Sequence, residues 1–309
     1  MNRRPVIISA VLTLLSIPVV LVTIDTVTFN ASNRSNSAFV SSGQKREYLL
    51  YVPRSYDRAK PTSLVISMHG AGGWPAQQMK LSGWNRLADA HGFIVVYPSA
   101  AEGVGPRIWH VDRGGGLERD VRFISALIDT VRASYYIDTS KIYANGISNG
   151  GGMTFVLSCR LGDRIAAFGM VAAAQTLPWS WCTDSRPTPM MAFHGTSDLM
   201  IPYRGGTSWI AQSGFPNIVT WTKSWARRNQ CGERPADSAI AADVIRRAYS
   251  ECKDNATVVL FTINGGGHTW PGGTPMPEWF VGTTSNGVDA TAQMWEFFRE
   301  HPRSQHRNR

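Results

Sequence analysis

Three side chains in this sequence have the types and order that acyl transfer requires. The first is Ser148, centred in Gly146-Ile147-Ser148-Asn149-Gly150, the single G-x-S-x-G of the chain. An apolar run, Lys141 to Ile147, precedes it and reads as a strand. Met153 to Leu157 follows and can begin a helix. A strand that turns sharply into a helix at a serine presents the hydroxyl to solvent, and glycines two residues to either side make room for the turn. Without its flanks the pentapeptide reads equally well as a glycine-rich turn with a surface serine.

A serine hydroxyl is a weak nucleophile at neutral pH and needs a base, which in turn needs an orienting carboxylate. When the nucleophile sits on a strand-to-helix turn, the acid and the base follow it in the chain. Of seven histidines, His69, His91 and His110 come before the serine, and His301 and His306 lie at an expected frayed C-terminus. His268 follows the last expected strand, in Asn264-Gly265-Gly266-Gly267-His268-Thr269-Trp270-Pro271-Gly272, where three glycines let a loop reach over the sheet edge. His194 is given a structural role, its ring bonding the turn that carries the acid. That acid is Asp198, in His194-Gly195-Thr196-Ser197-Asp198, directly after an apolar strand. Asp163, Asp184, Asp243 and Asp254 lack such a strand before them.

Ester hydrolysis passes through a tetrahedral oxyanion that two N–H donors should face. The backbone N–H of Asn149 is one. The other belongs to the loop His69-Gly70-Ala71-Gly72-Gly73, where Ala71 is the candidate and Gly72 the alternative. Trp74, Trp109, Trp179, Trp181 and Trp270 fall in expected loops. Trp109 and Trp270 are the candidate substrate-binding residues, for an aromatic acyl group or a sugar face.

The elements that must position these groups alternate. Strands are expected over Glu47–Val52, Ser63–Met68, Phe93–Tyr97, Lys141–Ile147, Ala167–Ala172, Met190–Phe193 and Thr257–Ile263. Helices are expected over Trp84–His91, from near Asp120 through Val131, over Trp221–Arg228 and over Ala290–Glu300. Strand and helix in alternation imply a mostly parallel sheet covered on both faces. Glu118 and Asp120 stand where carboxylates favour a helix start. Gly150, Gly151 and Gly152 predict a loose beginning for the helix after the serine.

Residues 1–28 read as a signal peptide or membrane anchor, with Arg3 and Arg4 before the apolar run Val6 to Ile24. Residues 29–44 read as a flexible linker, 45–302 as one catalytic domain and 303–309 as a basic tail. The net charge of +9 is scattered, with no dense basic run interleaved with aromatics, so nucleic acid is not an expected partner. Cys159, Cys182, Cys231 and Cys252 have no C-x-x-C spacing, which argues against zinc. In an oxidising compartment they make two disulfides, and sequence proximity favours Cys159–Cys182 and Cys231–Cys252.

Taken together, His69-Gly70-Ala71, Gly146-Ile147-Ser148-Asn149-Gly150-Gly151, His194-Gly195-Thr196-Ser197-Asp198 and Gly266-Gly267-His268-Thr269-Trp270-Pro271-Gly272 resemble the polyhydroxybutyrate depolymerase and feruloyl esterase group of secreted α/β hydrolases. The resemblance spans roughly residues 38–302. It implies the α/β-hydrolase fold and an exported serine carboxylic ester hydrolase. Ser148 would be the nucleophile, Asp198 the orienting acid and His268 the base, with no metal and no organic cofactor. The implied partner is an ester substrate, either a polyester oligomer or an acylated polysaccharide. No appended polymer-binding domain is visible, which speaks against attack on crystalline polyester. A peptidase or acyltransferase on the same fold, or a non-catalytic polymer binder, are the competing functions.

Overall fold

The structure is a computed structural model, and it describes residues 35–303 apart from 102–105, 113 and 184–185, with the side chains of 211–213 also left aside. The expected N-terminal segment and nearly all of the basic tail lie outside the described residues. Among the described residues no helix is long and apolar enough to cross a membrane.

The described strands are β1 (Ser37–Ser41), β2 (Gln44–Tyr51), β3 (Thr62–Met68), β4 (Ile94–Pro98), β5 (Ile137–Ile147), β6 (Ala167–Val171), β7 (Met190–Gly195), β8 (Gly206–Ser208), β9 (Ala211–Phe215), β10 (Ala236–Ala241), β11 (Val244–Tyr249) and β12 (Val258–Ile263). The α-helices are α1 (Pro75–Ser82), α2 (Trp84–His91), α3 (Gly115–Ser134), α4 (Asn149–Arg160), α5 (Ile218–Arg228), α6 (Glu278–Val281) and α7 (Ala290–Glu300). One sheet runs in the order β1-β2-β4-β3-β5-β6-β7-β12-β11-β10, and β8 and β9 form a separate hairpin. The centre from β4 to β12 is parallel, and the strands outside it are antiparallel. With strands and helices in alternation, this is the expected α/β-hydrolase architecture.

Because successive side chains leave a strand on opposite faces, β3 sends Leu64, Ile66 and Met68 to one core and Val65 to the other. The first core is closed by α3, α4 and α5, through Phe123, Phe155 and Trp225 among others. The second is closed by α1, α2 and α7, where Trp84 stacks on Phe298 at 6.0 Å and Phe93 on Trp295 at 4.0 Å. Burial on both faces explains why β3, β4, β6, β7 and β12 read as continuous apolar runs. It also holds the carboxyl ends of β5, β7 and β12 on one edge, since β6 alone stands between β5 and β7.

Several expectations need correction. Ser37–Ser41, placed in the linker, pairs in register with β2, so ordered structure begins before residue 45. His301 is not at a frayed end. It is buried at the close of α7, where Nδ1 donates to Phe297 O at 2.7 Å. Gly150, Gly151 and Gly152 do not loosen α4. A Cβ on Gly150 would lie 2.4 Å from His69 O, and one on Gly151 would lie 2.4 Å from the Ala173 methyl. These glycines let the helix press against β3 and β6. Both disulfides form as expected, Cys159–Cys182 and Cys231–Cys252.

Candidate active site

Ser148 stands alone between the last residue of β5 and the first of α4. Its backbone is at φ 55°, ψ −122°, a region that a residue with a side chain enters only under strain. Two hydrogen bonds hold it there. Ser148 N–H donates to Val171 O at 2.9 Å, and Ser148 O accepts Gly152 N–H at 2.9 Å. The flanking glycines are required by contact, because a Cβ on Gly146 would come within 2.5 Å of the Gly150 carbonyl. Ser148 is half-buried, so the site opens to solvent at the serine.

Asp198 follows β7 in a tight turn. Its Oδ1 accepts the N–H groups of Met200 and Ile201, each at 2.9 Å. Its Oδ2 accepts His268 Nδ1–H at 2.8 Å. Burial pushes the Asp198 carboxyl up. The hydrogen bond from His268, the charges of His268 and His194 and the Ile201 N–H outweigh this and hold it below the usual carboxylate range. Both partners of the pair are buried, at 4% and 5% exposure. With its Nδ1 proton committed to the carboxylate, the neutral imidazole keeps its lone pair on Nε2. The hydrogen-bond network of the described residues joins His268 to Asp198 and does not include the Ser148 hydroxyl. Apo sites often tighten that contact only when substrate binds.

The two loops that carry this pair are stitched together. Thr196 N–H donates to Ile263 O and Ser197 N–H to Gly266 O, each at 2.9 Å, and Gly265 N–H donates to Thr196 Oγ1 at 2.8 Å. His268 is held from the other side by its N–H bond to Val281 O at 2.6 Å. His194 is buried with Nε2–H donating to Ile201 O at 2.8 Å, which braces the acid turn as expected. Burial pulls its pKa down, against the charge of Asp198.

The candidate oxyanion donors come from two chain segments. Asn149 is the first residue of α4, where backbone N–H groups are unpaired within the helix and the helix dipole is positive. In the other loop, Gly72 N–H is committed to Arg107 O at 2.8 Å and Gly73 N–H to Gly70 O at 3.0 Å. Ala71 N–H makes no backbone hydrogen bond among the described residues, so of the two alternatives Ala71 is the one open to an incoming oxygen. The loop runs close to Ser148, for a Cβ on Gly70 would touch Ser148 Cβ at 3.4 Å. The base of the loop is His69. Its Nδ1–H donates to Gly70 O at 2.7 Å and its Nε2 accepts Ala100 N–H at 3.1 Å, so the ring is neutral. Burial lowers its pKa to about 4.

The structure buries Trp109 and Trp270, the expected substrate-binding residues. Each is 1% exposed. The Trp109 indole N–H donates to His69 O at 3.1 Å, and that of Trp270 to Thr291 Oγ1 at 2.9 Å. Both are wedged into the scaffold by polar handles at the ring edge. The exposed rings are others. Trp279 is 88% and Trp209 66% exposed, and Phe280 lies between them. Trp279 and Phe280 belong to α6, whose Val281 carbonyl holds the His268 backbone. Trp209 sits at the tip of the β8–β9 hairpin. The sequence hides both elements, one in a proline-rich loop and the other among Gly, Thr and Ser. A second feature missed from sequence is the ion pair Arg46–Asp120, 2.9 Å apart with each side chain 1% exposed. Asp120 is therefore a buried anion and not a helix-start charge. Among the described residues no cluster of His, Cys, Asp and Glu could hold a metal ion.

The sequence pattern of the family described as "Esterase PHB depolymerase" matches residues 46–176, the part that carries the Ala71 loop and the serine turn. Residues 46–176 thus carry the pattern of that esterase family, and the chain as a whole is similar to feruloyl and acetyl xylan esterases. It is 31% identical to feruloyl esterase B of Piromyces equi over 229 residues, which is 72% of this chain but only 42% of that protein. It is 28% identical to feruloyl esterase C of Emericella nidulans over 258 residues, covering 82% and 83% of the two chains. Among solved structures, an acetyl xylan esterase from Aspergillus awamori superposes with a TM-score of 0.58 at 18% identity, covering 82% of this chain and 94% of that one. At that identity the superposition speaks for the fold alone.

Proposed function

We propose that this esterase works through Ser148, His268 and Asp198 and an acyl-enzyme on Ser148, cleaving carboxylic esters of the feruloyl- or acetyl-carbohydrate class. The observation that carries the reading is the buried Asp198–His268 hydrogen bond of 2.8 Å beside a serine held at φ 55° on the same sheet edge. The proposed steps are those of acyl transfer through a serine. Ser148 Oγ adds to the ester carbonyl carbon while His268 Nε2 takes its proton, and Asp198 stabilises the imidazolium formed. The carbonyl oxygen gains the negative charge and faces the N–H groups of Asn149 and Ala71. Collapse of this intermediate breaks the C–O bond to the alcohol, which leaves with the proton from His268. Water, deprotonated by the same imidazole, then releases the acid and restores the serine.

The names of the relatives point to feruloyl and acetyl esters of plant polysaccharide, and hydroxyalkanoate oligomers remain the alternative implied by the family. The exposed rings of Trp209, Trp279 and Phe280 border the loop that carries His268 and suit a planar acyl group or a sugar face. The two disulfides fit an oxidising compartment, so we place the enzyme outside the cytoplasm.

A substrate screen with a Ser148→Ala control tests the reading. The wild type should turn over methyl ferulate, acetylated xylan or short nitrophenyl esters, and Ser148→Ala should lose about four or more decades of kcat. Wild-type turnover in that variant, or rapid cleavage of peptide anilides with slow ester turnover, would refute it.

A further inference from the structure

The segment Arg107–His110 touches both sides of the candidate oxyanion hole. Arg107 O accepts Gly72 N–H at 2.8 Å, which fixes the loop that carries Ala71. Trp109 grips the other side. Its backbone N–H donates to Asn149 Oδ1 at 2.7 Å, and its backbone carbonyl accepts from Asn149 Nδ2 at 3.0 Å. One primary amide thus reads both main-chain groups of a single residue. The Trp109 indole N–H adds a third tie, to His69 O at the root of the Ala71 loop.

The segment is itself anchored from behind. His110 N–H and His110 Nδ1 both meet Asp120 Oδ2 at 2.9 Å. Asp120 Oδ1 pairs with Arg46 Nη1, and the Arg46 guanidinium lies over the Phe123 ring at 3.9 Å. A buried ion pair of this kind adds little net stability, because desolvation offsets the attraction. Its value lies in direction, since each carboxylate oxygen has a fixed partner.

We infer that Arg107–His110 is a strap that sets the separation of the two oxyanion donors, with the Asn149 side chain as its fastening. Asn149 then has two roles: its N–H faces the oxyanion, and its amide is a positioning group. The inference rests on the proposed roles of Ser148, Ala71 and Asn149.

The physical need is plain. Ala71 sits on the loop after β3 and Asn149 opens α4; the two are held near each other by the pairing of β3 with β5, where Met68 faces Gly146, and by the packing of Gly150 on the His69 carbonyl. Donors must lie about 2.7–3.1 Å from the developing charge, and a misplacement of about 1 Å costs about 100-fold in rate. Sheet register sets the loops only coarsely. A tie from each loop to one rigid segment sets the remainder. The chemistry of the clasp also singles out asparagine. It needs one acceptor and one donor on a short planar group. Aspartate lacks the donor, and serine carries a single hydroxyl that cannot span both sites.

Asn149→Asp and Asn149→Ala test the strap. Titration with a fluorophosphonate counts competent serines, so kcat per titrated site is independent of any misfolded fraction. On a nitrophenyl acyl ester, kcat per site should fall about 100-fold with KM nearly unchanged. A trifluoromethyl ketone gives the second readout. Ser148 Oγ adds to its carbonyl carbon, the serine proton passes to His268, and the oxygen becomes an alkoxide in the hole. Its affinity should fall by the same factor, while affinity for the product acid stays at the wild-type value. Wild-type kcat in Asn149→Ala would overturn the strap, as would a lowered kcat with ketone affinity intact. If neither variant titrates, Trp109→Phe removes the indole tie to His69 while a smaller aromatic ring and the two main-chain bonds of residue 109 to Asn149 remain. It should weaken the ketone in proportion to kcat, and unchanged ketone affinity there overturns the inference. Full turnover in Ser148→Ala is a separate result and would refute the site reading on which the strap depends.

Discussion

Gly195 and Gly266 meet backbone to backbone: a Cβ on Gly195 would lie 2.1 Å from Gly266 O. Gly195 ends β7 three residues before Asp198, and Gly266 lies two residues before His268. No side chain fits between the acid loop and the imidazole loop, so these glycines set how close the two functional groups come. Gly267 repeats the arrangement on the other side, where a Cβ would lie 2.1 Å from Val281 O. The glycine run before His268 therefore serves close docking more than reach. Within it, Gly265 alone has a positive φ, at 72°.

Gly195→Ala should separate the loops and stretch the Asp198–His268 hydrogen bond. A kcat/KM loss of about 100-fold is expected, since displacements near 1 Å carry that cost. The check is a Michaelis series beside a thermal melt. A folded Gly195→Ala protein with wild-type kcat/KM would show that the contact can relax without consequence.

Asp198→Asn and the two histidines make a sharper comparison. An amide in place of the carboxylate can donate to His268 Nδ1 and force the ring proton onto Nε2, leaving no base. A loss of about 10⁴ in kcat is expected. His268→Ala should be comparably impaired. His194→Gln can keep a donor toward Ile201 O and should stay within about tenfold of wild type. Equal losses in the two histidine variants would mean that His194 shares in proton transfer.

The candidate acid, base and serine each carry a local signature in the sequence. Ser148 is marked by glycines at fixed offsets, Asp198 by an apolar strand that ends in a polar turn, and His268 by glycines after the last strand. Rows of β-branched and aromatic residues gave the central strands, and α2 and α7 fell on the expected residues. What escaped depends on contacts distant in sequence. Ser37–Ser41 lies in a stretch rich in Ser and Asn and reads as linker until it pairs with β2. Arg46 precedes the expected strand Glu47–Val52 with no local mark, and only the placement of α3 makes it the partner of Asp120. Tryptophan exposure is likewise a property of packing: Trp109 and Trp270 are buried by elements that lie far away in the chain, while Trp209 and Trp279 are left in solvent.

Acid should destabilise the fold well before the carboxylates titrate. Burial holds His69 neutral down to about 4, against about 6.5 for an unfolded histidine. Burial lowers His194 and His301 in the same direction. Between these limits the unfolded chain binds a proton at residue 69 that the native chain does not, so this contribution to stability is lost as pH drops from about 6.5 toward 4. His69 alone accounts for about 3 kcal/mol over that window. Urea midpoints at pH 7.5, 5.5 and 4.5 should decline in that order, and a flat series would mean that these rings are not buried and neutral in solution.

The disulfides should contribute to stability in similar amounts but differ in their effect on catalysis. Each closes a short loop, with sequence separations of 23 and 21 residues, and the loop-entropy account gives about 3 kcal/mol for either. Cys159 lies on α4, the helix that starts beside Ser148, whereas Cys231 and Cys252 come after α5 in the chain. The pair Cys231→Ser with Cys252→Ser should lower the guanidinium midpoint and leave kcat near wild type at 25 °C. Cys159→Ser with Cys182→Ser should lower the midpoint by a similar amount and also lower kcat, because α4 loses a fixed point behind Ser148 and Asn149. Identical kinetics in the two double variants would show that the packing of Gly150 and Gly151 alone is enough to hold the start of the helix.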